Sequence, residues 1–228
     1  MKTKTRFAWK QFLKNLAIIA IPVALQNMLT TTGSMIDTMM IAPLGETTVG
    51  AVGLCAQFSS LMFAGYWGFF GGGMLFFSQY WGAQDDDGID HSYGLTLTCM
   101  MIVGLTFGAF AIFAPETVMK LYTDKENIQV IGAEYLRIIG FGYPVQVFSM
   151  AMSALLRSTE RVRIPLFASI ASVASNIFLN WVFIYGKFGL PEMGVRGAAL
   201  ATSFGGGYQR FGHFDFGACT EVPVSVPL

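Results

Sequence analysis

The sequence predicts an all-α, polytopic membrane protein: one lobe of about six transmembrane helices, the sixth incomplete. Three observations predict it. The 228 residues are 54% hydrophobic and only 12% charged, against about 25% charged for a soluble domain. Mean hydropathy is +0.54. Successive apolar runs reach the ~20 residues that a membrane helix needs, with Gly, Met and Phe abundant, as suits helices packed in lipid.

The elements follow in order. A basic lead-in, residues 1–15, carries Lys2, Lys4, Arg6, Lys10 and Lys14. The apolar run behind it is too long for a signal-peptide core, and further spans follow, so it reads as a cytoplasmic amphipathic segment. The lobe proper is expected over 16–204. Leu16 to Ala42 is the first span, interrupted among charges only by Asp37. Thr47 to Gln84 has no charge at all. Ser92 to Ala114, Ile138 to Leu156 and Ile164 to Gly186 give the third, fourth and fifth. A sixth opens at Gly194 with "GVRGAALATSF" and then fails, because Gln209, Arg210, His213 and Asp215 arrive where lipid should be.

Lys and Arg in the loops orient the chain. The lead-in and the fourth-to-fifth connection "RSTERVR" are placed in the cytoplasm, with the multi-pass chain in a plasma (inner) membrane. The connection "GAQDDDGIDH" should also be cytoplasmic yet has no Lys or Arg, so it lends the assignment no support.

Asp37 is the first functional candidate. An ionised carboxylate in an apolar setting is costly unless paired or protonated, and an intramembrane ionisable group marks a functional site by default. The bland alternative is a residue at the membrane interface. Five residues separate it from Ala42, roughly 8 Å of helix. Asn27, Thr30 and Ser34 share its face at spacings of three and four. That face should look into the bundle or a wet cavity. Asn176 and Asn180 lie one turn apart in the fifth span. They read equally as interhelical glue or as cavity lining. Pro22 removes a backbone hydrogen bond early in the first span. It reads as a static kink or as a helix bend that changes during function.

Other chemistry is thin. Cys55 and Cys99 sit in apolar runs and read as buried thiols, while His91 and His213 lack partners at metal-ligand spacing. "GFFGGGM" lacks the Lys-Ser/Thr ending of a phosphate loop. Asp85, Asp86, Asp87 and Asp90 lack calcium-loop spacing and read as a solvated turn. No nucleophile–base set appears, so an enzyme is not expected, nor any cofactor or resident metal. A net charge of zero gives no basic field for nucleic acid.

Ordered short motifs then carry a resemblance. "IP" (Ile21, Pro22) and "IDTMMIAPLG" fall in the first span, "SQYWGAQD" follows the second and "PETVMKLYT" the third. "EYLRI" opens the fourth, "LLRSTERVRIP" follows it, and "SNIFLNWVFIYGKFGLPEMGVRGAALAT" covers the fifth and the start of the sixth. Over roughly residues 10–203 the chain resembles the N-terminal half of the multidrug and toxic compound extrusion (MATE) transporters. The resemblance implies two six-helix lobes around a cavity. It also implies export of drugs or other amphipathic and cationic compounds in exchange for H⁺ or Na⁺, which is the coupling ion, held at Asp37. Asn180 falls where some members carry a second acidic residue, Thr30 where some carry Gln, and Thr202 matches the threonine of "GAALAT". Coupling would require only that the ion and the drug prefer different arrangements of the lobe.

Two other functions compete. A flippase for lipid-linked substrates would want a basic cavity, and the five complete runs contain no Lys or Arg. A membrane assembly subunit would need no titrating Asp37. The resemblance also implies a second lobe, so the chain is expected to be inactive alone unless two copies pair. The tail, 205–228, is expected to be aberrant, the product of a reading-frame shift near Ser203.

Overall fold

In the computed structural model, the structure describes residues 9–189 and 191–205. The first eight residues of the lead-in and the tail from 206 onward lie outside them. Eight α-helices and no strand occur among the described residues. They are α1 (Trp9–Ile41), α2 (Glu46–Ala83), α3 (Asp86–Phe113), α4 (Pro115–Tyr122), α5 (Glu126–Gly140), α6 (Tyr143–Ser158), α7 (Arg163–Ile184) and α8 (194–205). Four of these are long and apolar enough to cross a membrane, and α5 with α6, bent by 52° at their break, pass the same test together.

Local chemistry sets the boundaries. A 3₁₀ turn, Ala42–Leu44, and Gly45 at φ 106° reverse the chain between α1 and α2. That positive φ is open to glycine at no steric cost. Asp85 caps α3 by accepting from the Gly88 amide at 2.9 Å, so the acidic turn serves a helix start. Pro115 occupies the first turn of α4, where its missing N–H costs nothing.

The fourth apolar run departs from expectation. Ile138 to Leu156 is uncharged but is not one helix. The chain breaks at Phe141 and Gly142, and Pro144 sits in the first turn of α6. Proline disfavours helical geometry in the residue before it, and the composition of the run hides this. The crossing begins earlier, at Glu126, and therefore includes Arg137 in the last turn of α5. Arg157 likewise ends α6 inside the helix. Both arginines therefore belong to helix ends, whereas the sequence alone places them in connections. Arg137 is accommodated by an exposed ion pair with Glu116 at 2.6 Å. Part of the loop "PETVMKLYTDKENIQ" is the short amphipathic helix α4, which packs on α5.

Helices α2, α3, α5 and α6 pack into one core around fully buried Met62, Tyr66, Phe77, Met100, Leu136 and Tyr143. α1 packs chiefly on α7 and only lightly on α2. The chain separation is 143 both at Gln26–Ser169 and at Asp37–Asn180. A constant separation means that α1 and α7 run parallel and in register. α8 joins the two parts. Its Ser203 hydroxyl donates to the Ile138 carbonyl at 3.4 Å, and its Gly205 carbonyl accepts from Ser172 at 2.7 Å.

Candidate functional site

The α1–α7 register decides what Asp37 meets. Asp37 is half-buried, and its Oδ1 accepts from Asn180 Nδ2 at 2.7 Å. The same Nδ2 donates to Asn176 Oδ1 at 3.2 Å, so both amide hydrogens are used. Asn180 is 1% exposed, and its own Oδ1 has no hydrogen-bond donor. A buried carbonyl oxygen without a donor is an unmet acceptor beside a carboxylate.

Two further hydroxyls close on this cluster. Tyr135 of α5 is buried and lies near Thr202 of α8 and Asp37. Thr202 Oγ1 also donates to the Ala198 carbonyl at 3.0 Å. A carboxylate of α1 and two amide carbonyls of α7 thus come together, with the hydroxyls of Tyr135 on α5 and Thr202 on α8 in the neighbourhood. An all-oxygen set suits a proton or a hard monovalent cation and does not suit soft-metal chemistry. Among the described residues no group of three or more His, Cys, Asp or Glu side chains could hold a metal.

The predicted polar face of α1 divides. Asn27, Thr30 and Ser34 are exposed and do not enter the Asp37 cluster. Thr30 and Ser34 donate to carbonyls of their own helix, those of Gln26 and Thr31. The buried polar residue on the Asp37 side of α1 is instead Gln26, 6% exposed. Eleven residues are three helical turns within about 20°, so Gln26 and Asp37 lie on one line. Gln26 Nε2 donates to Ser169 Oγ at 2.9 Å, and Gln26 Oε1 accepts from Arg157 Nη2 at 2.8 Å. Pro22, one turn before Gln26, lies inside a helix that continues through it. Sequence reasoning missed Tyr135, Ser169 and Arg157. For Gln26 the three-turn spacing was the available signal.

The chain is thus a polytopic helical lobe with a carboxylate held between two parallel helices. The MatE family model matches residues 22–182, and the chain belongs to that family. It is 27% identical over 190 residues to the probable multidrug resistance protein YoeA of Bacillus subtilis (strain 168), covering 83% of this chain and 41% of that protein. It is 26% identical over 201 residues to the probable multidrug resistance protein NorM of Neisseria meningitidis serogroup A, covering 86% and 44%. In fold it is similar to a MOP-superfamily transporter of Pyrococcus furiosus, with TM-score 0.81, 23% identity, and 94% of this chain on 47% of that one. A MATE structure in complex with MaD3S gives TM-score 0.83 at 23% identity, covering 94% and 48%. The chain spans about half the length of the curated relatives it matches.

Proposed function

We propose that this chain is the ion-coupling lobe of a cation-driven antiporter that exports drugs or other amphipathic and cationic compounds. The observation that carries the reading is the Asn180–Asp37 contact at 2.7 Å, with the donorless Asn180 Oδ1 beside it. A carboxylate between apolar helices favours a bound cation or proton. Asp37 holds the coupling ion, H⁺ or Na⁺, and Asn176, Asn180, Tyr135 and Thr202 supply the neutral oxygens around it. Asn27, Thr30 and Ser34, exposed on the adjacent face of α1, line the substrate cavity. That cavity lies between this lobe and a second lobe or a second copy, as alternating access requires two repeats. Pro22 lets α1 change its bend as the ion binds and leaves. The membrane is the plasma (inner) membrane, with the start of α1 on the cytoplasmic side.

The test replaces Asp37 by Asn in a full-length relative bearing this lobe. Expression should persist while drug efflux across an imposed proton or sodium gradient stops. Unchanged gradient-driven efflux would sink the proposal.

A further inference from the structure

The Arg157 guanidinium is half-buried at the junction of α1, α6 and α7, and it has no counter-charge. Its Nη2 donates to the neutral Gln26 carbonyl at 2.8 Å, and its Nε is buried without a partner. The ion pairs among the described residues are Arg137–Glu116 and Arg196–Glu134, so no described carboxylate pairs with Arg157. Glu160, three residues on, is exposed and turned by a left-handed backbone at φ 62°. An arginine in a low-dielectric setting is costly unless an anion meets it.

Two further facts say where that anion comes from. The first is preorganisation. Gln26 is fixed by its own donation to Ser169 at 2.9 Å, so its carbonyl holds the guanidinium in one orientation. No other acceptor for Arg157 is found among the described residues, and its Nε is buried without a partner. The planar fork of arginine matches phosphate oxygens bidentately.

The second is depth. The neighbouring Ser158 hydroxyl donates to the Met74 carbonyl of α2 at 3.3 Å. Met74 stands roughly 42 Å along α2 from Glu46. A hydrocarbon core is about 30 Å thick, and about 40–45 Å with its headgroups. The α6 end that carries Arg157 therefore stands at headgroup level when Glu46 lies at the opposite interface, while its guanidinium reaches in to Gln26, roughly 24 Å along α1 from Ala42 and just inside the core boundary. Arg163, exposed at the start of α7, adds a second cation on the same side.

We propose that Arg157, oriented by Gln26 and assisted by Arg163, binds a phosphate anion, supplied by the headgroup of an anionic phospholipid of the leaflet on that side. The chemistry is a charge-assisted contact between guanidinium and phosphodiester. Basic pockets between membrane helices hold anionic headgroups in this way. The bound lipid supplies the charge that the chain lacks and braces the junction between α1 and the rest of the lobe.

The test uses the full 228-residue chain purified in neutral detergent. Binding is titrated with phosphatidylglycerol, phosphatidylcholine and inorganic phosphate, read by native mass spectrometry and by the thermal unfolding midpoint. Phosphatidylglycerol should bind and raise the midpoint, with phosphatidylcholine much weaker. Arg157→Gln should weaken phosphatidylglycerol binding about tenfold or more, as expected for loss of a charged hydrogen-bond donor. Arg157→Lys keeps the charge and loses the fork, so it should bind between wild type and Arg157→Gln. Protection by inorganic phosphate alone, lost in Arg157→Gln, would keep the phosphate site and assign it to a soluble anion rather than lipid. Equal phosphatidylglycerol binding by wild type and Arg157→Gln would overturn the proposal. So would a wild-type chain that neither prefers phosphatidylglycerol nor responds to phosphate. Should Arg157→Gln fail to fold, a photoreactive phosphatidylglycerol on the wild-type chain decides. Adducts at the α6–α7 junction support the site, and adducts confined elsewhere refute it.

Discussion

Gln26 of α1 donates to Ser169 of α7 at 2.9 Å across the same chain separation, 143, that joins Asp37 to Asn180. Two polar contacts about 16 Å apart along both axes therefore clip the helices into one parallel pair. The lower clip also receives Arg157, and the upper one is the carboxylate cluster. A change felt at Asp37 thus acts on α1 and α7 together rather than on α1 alone.

The lower clip should be measurable. Gln26→Ala removes the acceptor of Arg157 and the donor to Ser169, and leaves a guanidinium with no partner among the described residues. The expected loss is about 2–3 kcal/mol, against about 1 kcal/mol for Ser169→Ala. Denaturant unfolding of both variants and the double mutant checks this. Additive losses would show that Gln26 and Ser169 are not coupled.

Close packing gives a prediction with a built-in contrast. A Cβ on Gly197 of α8 would stand 2.7 Å from the Phe183 backbone carbonyl, which has nowhere to go. A Cβ on Gly132 would meet only the end of the Met119 thioether chain, its Cε at 2.3 Å, and methionine repacks readily. Gly197→Ala should cost about 1–3 kcal/mol and Gly132→Ala clearly less. Thermal unfolding in one detergent ranks them, and the reverse order would contradict the α7–α8 contact.

The long helices were legible because uncharged runs of membrane length have few other readings. What composition could not show was a break inside such a run. The α5–α6 bend at Gly142 and Pro144 depends on backbone chemistry, and an apolar count is blind to it. The family resemblance was likewise legible in ordered motifs. The site was legible in part. Isolation and helical spacing single out Asp37, Asn176 and Asn180, which hydrogen bonds join in the structure, and the resemblance adds Thr202 as a candidate. Tyr135 was not found, because a tyrosine in an apolar helix is ordinarily core, and only tertiary packing brings it near Thr202. Arg157 was read as a loop cation, because its neighbours Arg161 and Arg163 made a basic connection of the whole segment.

Sidedness follows from the parallel registers. α1 and α7 start on one side, and α2 and α5 start on the other, where Glu46, Thr47, Lys125 and Glu126 line a cavity of about 620 Å³. With the N-terminus in the cytoplasm, a cysteine at position 161 should label only from inside, as should Lys10 with an amine reagent. Lys125 should label only from outside. Outside labelling at 161 would reverse the orientation.

The final prediction separates structure from ion binding at the hydroxyl pair. Tyr135 is buried and lies near Thr202 and Asp37. Tyr135→Phe deletes one oxygen and leaves the ring packing in place. Thr202 keeps its own hydrogen bond to the Ala198 carbonyl at 3.0 Å, so no donor is stranded. The stability loss should stay near 1 kcal/mol. If the hydroxyl were only a packing device, nothing else would change. As part of the oxygen cluster around Asp37, its removal should weaken cation dependence. In a full-length relative bearing this lobe, the ion concentration for half-maximal efflux should rise several-fold, while expression and the thermal midpoint hardly move. Asn180→Ala is the complementary variant. It strips the donor from Asp37 and opens space at a residue 1% exposed, so it should lose both stability and coupling. A Tyr135→Phe protein with the wild-type ion dependence would remove Tyr135 from the site and leave Asp37, Asn176 and Asn180 to hold the ion without it.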